Sequence, residues 1–411
     1  MKDWRIYARG RDMREIKGGI TLPRGFKAAG LKCGLKKSKK DLALLLSEVP
    51  ARTTALFTTN RIQAAPLKVT KEHLRNGWAQ AVIVNSGNAN ACTGKKGLED
   101  ARLMAKITAR SLKIREKNVL VASTGIIGRP LPMNKISRGI KELTKRLEGK
   151  GGLSAAEAIM TTDTRPKEKA VKFRLKGKEV SIGGMAKGSG MIFPHLATML
   201  SFITTDALIA KGALRKALKD SVDKSFNRIT IDGDMSTNDM VVILANGLAE
   251  NKEIEEKDGD FQTFRKALDF LTSSLARMMV VDGEGTTKFV EIKVKTARSS
   301  QEARKAAYSI ANSTLVKTAL FGEDANWGRI MAALGQAGIK LKEEKIDIRL
   351  GRTTIVKDGR AAKFDGDKIK KIMSGENISI TVDLKLGKEE AIVWTTDLSE
   401  DYVRINSHYP T

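Results

Sequence analysis

Apolar residues along the 411-residue chain follow two alternating rhythms. Short runs rich in β-branched residues predict strands: AVIVN at 81–85, VLVAS at 119–123, VVILANG at 241–247, ISITVDL at 378–384 and AIVWTT at 391–396. Between them lie stretches with apolar residues at helical spacing. In KGLEDARLMAKITARSLK (96–113), Leu98, Ala101, Ala105 and Leu112 fall near one face. The same spacing predicts helices over 134–148, 211–226, 261–280, 300–319 and 326–337. Strands interleaved with helices make a mixed α/β class. A chain this long suits two domains or one large α/β unit. The breaks at 148–152, 183–190 and 251–260 are too short for flexible tethers, and no internal repeat is present.

One stretch breaks the pattern. GSGMIFPHLATMLSFITTDA, from Gly188 to Ala207, opens with glycines, and its apolar run is interrupted at Thr198 by a small hydroxyl residue. Most threonines in such runs simply fill strands. The usual acyl-transfer equipment is absent, however. There are three histidines, His73, His195 and His408, with no GxSxG elbow, HExxH, CxxC pair or P-loop. GGMAKGSG leads into a strand-like segment and not a helix, so it lacks the helix N-terminus that would bind phosphate. His195 lies three residues before Thr198. On an extended chain those two point to opposite faces, so a structural histidine is the better reading. A threonine hydroxyl still needs a base, and its own α-amine can be one. That amine exists only if the Ala197–Thr198 bond has been cut.

Composition narrows the class. Apolar content of 41% marks a globular chain. Two cysteines, Cys33 and Cys92, are too few for a disulfide framework. They read as buried small hydrophobes in a reducing cytoplasm. The basic N-terminus has no continuous apolar core, and no window is long and apolar enough for a membrane span. The formal charge of +27 invites a nucleic-acid partner. But the lysines alternate with glutamates along the whole chain and aromatics are scarce, which fits a solvated surface of the kind heat-adapted proteins carry. Such a surface also attracts anionic small substrates.

The segment GMIFPHLATMLSFITTDA resembles the autocleavage segment of the ornithine acetyltransferases, also called glutamate N-acetyltransferases. VIVNSGNANACTG, STGIIGRPLPM, AIMTTDTRPK, IDGDMSTNDM, GEGTTKFVEI, GEDANWGRIMAALG and RINSHYPT resemble further blocks of that family, in family order. The resemblance spans nearly the whole chain. It implies an α/β fold, a layered sandwich of sheets flanked by helices, built from two products of one chain. Residues 1–197 would form the α chain and 198–411 the β chain, assembled as an α2β2 heterotetramer.

By the same resemblance, cleavage falls between Ala197 and Thr198, and Thr198 becomes the acetyl-accepting nucleophile. Thr124 and Gly125 match the oxyanion-hole pair. Substrate contacts fall on Thr161, Lys187, Thr198, Glu284, Asn406 and Thr411. The implied reaction is ping-pong transfer of acetyl from N2-acetyl-L-ornithine to L-glutamate in arginine biosynthesis. No metal or redox cofactor is implied, and whether acetyl-CoA also serves as donor is left open. Lys187 suits an α-carboxylate and Glu284 a cationic arm or incoming amine, although either could be plain surface charge. The chain departs from the family pattern at Phe193 and His195, and at Met235 and Met240, positions expected to tune substrate fit. A self-processed N-terminal-nucleophile aminopeptidase or amidase is the nearest rival. A basic nucleic-acid-binding protein is the farther one.

Overall fold

A computed structural model of the chain describes residues 13–193 and 199–408. Two sheets organise them. The first comprises β1 (Met13–Ile16), β2 (Phe26–Leu31), β3 (Leu42–Phe57), β4 (Trp78–Asn88), β5 (Val119–Ile126), β6 (Lys167–Leu175), β7 (Lys178–Lys187), β8 (Leu200–Thr205) and β9 (Met240–Ala245). Its order is β1-β6-β7-β8-β9-β3-β4-β5, with β2 also on β3. The second holds β10 (Phe289–Ala297), β11 (Asp347–Leu350), β12 (Thr353–Lys357), β13 (Arg360–Ala361), β14 (Asn377–Asp383) and β15 (Glu389–Thr396), in the order β13-β12-β11-β14-β10-β15. Pairs β4–β5, β8–β9 and β10–β14 are parallel and the others antiparallel.

β3 joins the halves of the first sheet. Its early residues pair with β2 and β4, while Arg52–Phe57 pair with β9. The β4 register shifts between Leu46 and Ala51, and Pro50, which has no N–H to give a ladder, sits in that shift. One inner core takes Ala43, Leu45, Val82 and Leu120 from one half and Met185, Leu200, Phe202 and Val242 from the other. The sheet therefore folds back on itself, and strand ends far apart in its order can meet.

Helices cover the outer faces. α1 (Ala65–His73), α2 (Gly94–Leu112) and α3 (Met133–Lys145) lie on the β2–β5 half, and α4 (Gly152–Ile159) joins the inner core. α5 (Lys211–Lys224) and α6 (Gly259–Val281) cover β6–β9. Along β9, Met240, Val242 and Leu244 enter the inner core while Val241, Ile243 and Ala245 face the two helices. Burial on both faces explains why this strand reads as an unbroken apolar run. The second sheet packs against α7 (Ser300–Ala311), α8 (Thr314–Phe321), α9 (Trp327–Gly335) and α10 (Gly366–Met373). α11 (Glu400–His408) ends the described chain.

The layered α/β class holds, with local corrections. The helix expected over 300–319 is two, because the Ser313 side chain accepts the Val316 N–H and starts α8 afresh. Neither cysteine is buried: Cys33 is half-buried and Cys92 exposed, both as free thiols. No described helix is long and apolar enough to cross a membrane, and no described group of His, Cys, Asp or Glu could hold a metal ion.

Candidate active site

Register brings the key segments together. Lys187 at the end of β7 pairs with Leu200 of β8, and Leu200 pairs with Met240 of β9. The residues flanking the segment around Thr198 and the motif IDGDMSTNDM thus share one end of the sheet. Ala197, Thr198 and His195 themselves lie outside the described residues, as does Thr411.

A cavity of about 170 Å³ opens at this end of the sheet. Its lining includes Thr124, Gly125, Thr161, Lys187, Glu284 and Asn406, which is every described residue on which the resemblance placed an oxyanion or substrate role. They come from β5, the loop after α4, β7, the loop after α6, and α11. Only tertiary folding unites them.

Lys187 is not surface charge. It is 3% exposed, and its Nζ donates to Thr124 Oγ1 at 3.5 Å. Burial pushes its pKa down, opposed by Asp163, Asp239 and Glu284. Thr124 is buried at the end of β5. Gly125 has φ +128°, and a Cβ there would lie 2.4 Å from Gly87 C and 2.5 Å from Asn88 N. The end of β5 therefore requires glycine at this position.

Asn238 locks the β4 and β5 ends to the start of β9. Its Nδ2 donates to Ala89 O at 2.7 Å and to Ser123 O at 2.8 Å, while Oδ1 accepts from Thr237 at 2.6 Å. Its structural reading fits, since its donors are spent on backbone. Asp239 is buried, and Oδ1 accepts the Met199 N–H at 2.9 Å. Burial raises its carboxyl well above the usual range.

On another wall, Glu284 follows the end of α6. Its N–H donates to Ser189 O at 2.8 Å, and its Oε2 accepts from Asn406 Nδ2 at 2.8 Å. Asp232 accepts the Met191 N–H and, at 2.8 Å, the Ile192 N–H, and Tyr402 OH donates to it at 3.2 Å. The acid thus fixes the chain just ahead of Phe193. Asp232 and Tyr402 also line the cavity and were not anticipated. Of the departures, Met240 is wholly buried in the inner core and lines no part of the cavity. Met235 sits outside the lining with its sulfur accepting from Thr59 Oγ1 at 3.6 Å.

Known proteins give the comparison. The model of the ArgJ family matches residues 27–411. An "arginine biosynthesis bifunctional protein ArgJ" from Caldanaerobacter subterraneus subsp. tengcongensis is 50% identical over 403 residues, spanning 97% of this chain and 100% of that protein. A protein of the same description from Thermotoga neapolitana is 48% identical over 398 residues, spanning 95% and 100%. Among solved structures, an ornithine acetyltransferase from Mycobacterium tuberculosis complexed with ornithine is 41% identical. It spans 44% of this chain and 98% of its own, with a TM-score of 0.42.

Proposed function

The chain belongs to the ArgJ family, and from that premise we propose how its cavity carries out acetyl transfer in arginine biosynthesis. The enzyme is an acetyltransferase of that pathway. The donor is N2-acetyl-L-ornithine and the acceptor L-glutamate. The observation that carries the reading is the convergence of Lys187, Thr124, Gly125, Thr161, Glu284 and Asn406 on one cavity.

In this reading the chain cleaves itself between Ala197 and Thr198, and the freed α-amine takes the hydroxyl proton as Thr198 Oγ attacks the acetyl carbonyl. The Thr124 hydroxyl and the Gly125 N–H hold the oxyanion of the tetrahedral intermediate. The C–N bond breaks, the amine returns the proton to the leaving nitrogen, and ornithine departs. The glutamate amine then attacks the acetyl-threonine ester. The Thr198 oxygen leaves and regains its proton, releasing N-acetyl-L-glutamate. Lys187 pairs with the α-carboxylate that both amino acids share, and Glu284, oriented by Asn406, meets the cationic arm of ornithine. The cleavage products 1–197 and 198–411 assemble as a cytoplasmic α2β2 heterotetramer.

The test is a product assay on purified protein with N2-acetylornithine and glutamate. Stoichiometric acetylglutamate supports transfer, whereas acetate released without acetylglutamate makes the enzyme an amidase and overturns the reading. Acetyl-CoA in place of acetylornithine decides whether there is a second donor. Intact masses and native mass report cleavage and assembly.

Gly190 offers a sharper prediction. A Cβ there would lie 2.3 to 2.7 Å from the carboxyl atoms of Glu284. Gly190→Ala therefore displaces a side-chain tip and no backbone, so the cost falls on the site and not on folding. KM for acetylornithine should rise roughly tenfold, the scale of one lost charge-assisted hydrogen bond. The thermal midpoint should stay put. Unchanged KM would remove Glu284 from substrate recognition.

A further inference from the structure

Behind Lys187 lies a second set of charges, two of them within AIMTTDTRPK, whose meeting the sequence did not reveal. Lys167, on β6, is wholly buried, and its Nζ meets Asp163 Oδ1 at 2.6 Å and Asp282 Oδ2 at 2.5 Å. The two aspartates are buried as well. Each is tied to a wall of the cavity. Asp163 Oδ1 also accepts the Gly188 N–H at 2.8 Å, and Oδ2 accepts the Thr161 N–H at 2.9 Å. Asp282 accepts the Thr164 N–H at 3.2 Å and the Thr164 hydroxyl, and it lies two residues before Glu284.

Such an arrangement is a poor way to gain stability. Desolvating three charges offsets most of what their attraction returns. Its partners suggest another purpose. A single triad grips the residue after Lys187, the amide of Thr161 and the turn that presents Glu284. Its three members carry one net negative charge beside a buried lysine, with the exposed Arg165 Nε 3.8 Å from Asp282 Oδ1. Burial would raise the Asp163 carboxyl, but Lys187, Lys167 and the Gly188 N–H overcome it and hold that group below the ordinary carboxylate range. Asp163 in return opposes the desolvation of Lys187.

We propose that Asp163, Lys167 and Asp282 are positioning residues: Asp163 supplies the counter-charge to Lys187, Lys167 ties Asp163 to Asp282, and the three together set the spacing of Thr161, Lys187 and Glu284. This rests on the acetyl-transfer reading above. Lys187 thereby stays available as a cation for a substrate carboxylate. Lys167 meanwhile divides the two aspartates, so that Asp163 does not neutralise Lys187 outright.

The sign of the pH effect follows. Lys187 faces Asp163, Lys167, Asp239 and Glu284, with Lys36 also in its field. Removing the Asp163 charge lets burial and the two other lysines push Lys187 further down. Its charge is then lost at lower pH.

The experiment compares wild type with Asp163→Asn, using N2-acetylornithine and N-acetylputrescine, the same donor without its α-carboxylate. For the variant, the alkaline limb of kcat/KM with acetylornithine should move to lower pH. KM at neutral pH should rise roughly tenfold, the loss of one charged partner, with kcat much less affected. With N-acetylputrescine the two proteins should behave alike. Asp282→Asn, which removes the triad's other negative charge, one not among the leading charges acting on Lys187, should shift the limb the same way by less, and it serves if Asp163→Asn fails to fold. An unmoved alkaline limb, or equal losses with both donors, overturns the proposal while wild-type transfer stands. Absence of transfer in wild type would instead overturn the reading of the site.

Discussion

Thr198→Ala should leave one uncut chain of about 45 kDa and remove acetyl transfer altogether, by on the order of 10⁴-fold or more. The Thr198 side chain alone supplies the hydroxyl that both steps need. Without the hydroxyl there is nothing to attack the Ala197 carbonyl, so no new N-terminus forms. Without that N-terminus there is neither nucleophile nor base. Two bands on a gel from this variant would show that some other group cuts the chain. Thr198→Ser keeps a hydroxyl and should retain part of both processing and transfer. The base also makes a pH prediction for wild type. A free α-amine has an ordinary pKa of about 7.7–8.0. A nearby lysine cation disfavours its protonated form and lowers that value. Register sets Lys187 beside Leu200, two residues after Thr198. The acid limb of kcat should therefore fall below the free-amine value. Lys187→Met should lift that limb toward it, and a limb that does not move would separate Lys187 from the amine.

How legible was this in the sequence? Strands whose two faces are both buried announced themselves, as β9 did with its run of apolar residues. Strands with charged residues among their core positions did not. β6 and β7, read as KEKAVKFRL and KEVSIGGMAK, mix lysines and glycines with their core residues. β3 hid because Ser47, Glu48 and Pro50 sit at the bend where it changes partners. At the site, Thr124, Gly125, Thr161, Lys187, Glu284 and Asn406 came from family blocks, since each alone is an ordinary residue type in an ordinary place. The Lys167 triad was not legible as a unit, although Asp163 and Lys167 both fall in AIMTTDTRPK. Asp163 and Asp282 are 119 positions apart, and they are three charges among 74 lysines and arginines and 47 aspartates and glutamates when Lys167 is counted. Nothing local separates a buried charge from a solvated one. The nearest signal is that Asp163 and Lys167 lie within AIMTTDTRPK, the family block holding Thr161, where their residue types alone assign them no role. Burial is a property of the fold, and the fold is where their function became visible.

The second large effect is expected at Gly125. A Cβ at this position meets Gly87 C and Asn88 N at 2.4 and 2.5 Å, and both are backbone atoms in the adjoining strand. They cannot step aside as a side-chain tip can. The backbone at φ +128° adds strain for any residue with a Cβ. Gly125→Ala must therefore push the end of β5 away from β4, and with it the N–H proposed to hold the oxyanion. Losing one such donor costs about 100- to 1000-fold in kcat. Because Lys187 and Glu284 stand on other elements, KM should change only a few-fold. The displaced strand end also frees the Ser123 carbonyl from Asn238 Nδ2, so some thermal stability should be lost as well. Thr124→Val separates the two effects. It keeps the shape, deletes only the hydroxyl, and should lower kcat with the fold and the thermal midpoint nearly intact. Should Gly125→Ala fold and turn over at the wild-type rate, the end of β5 holds no oxyanion, and the donors must be sought elsewhere in the cavity.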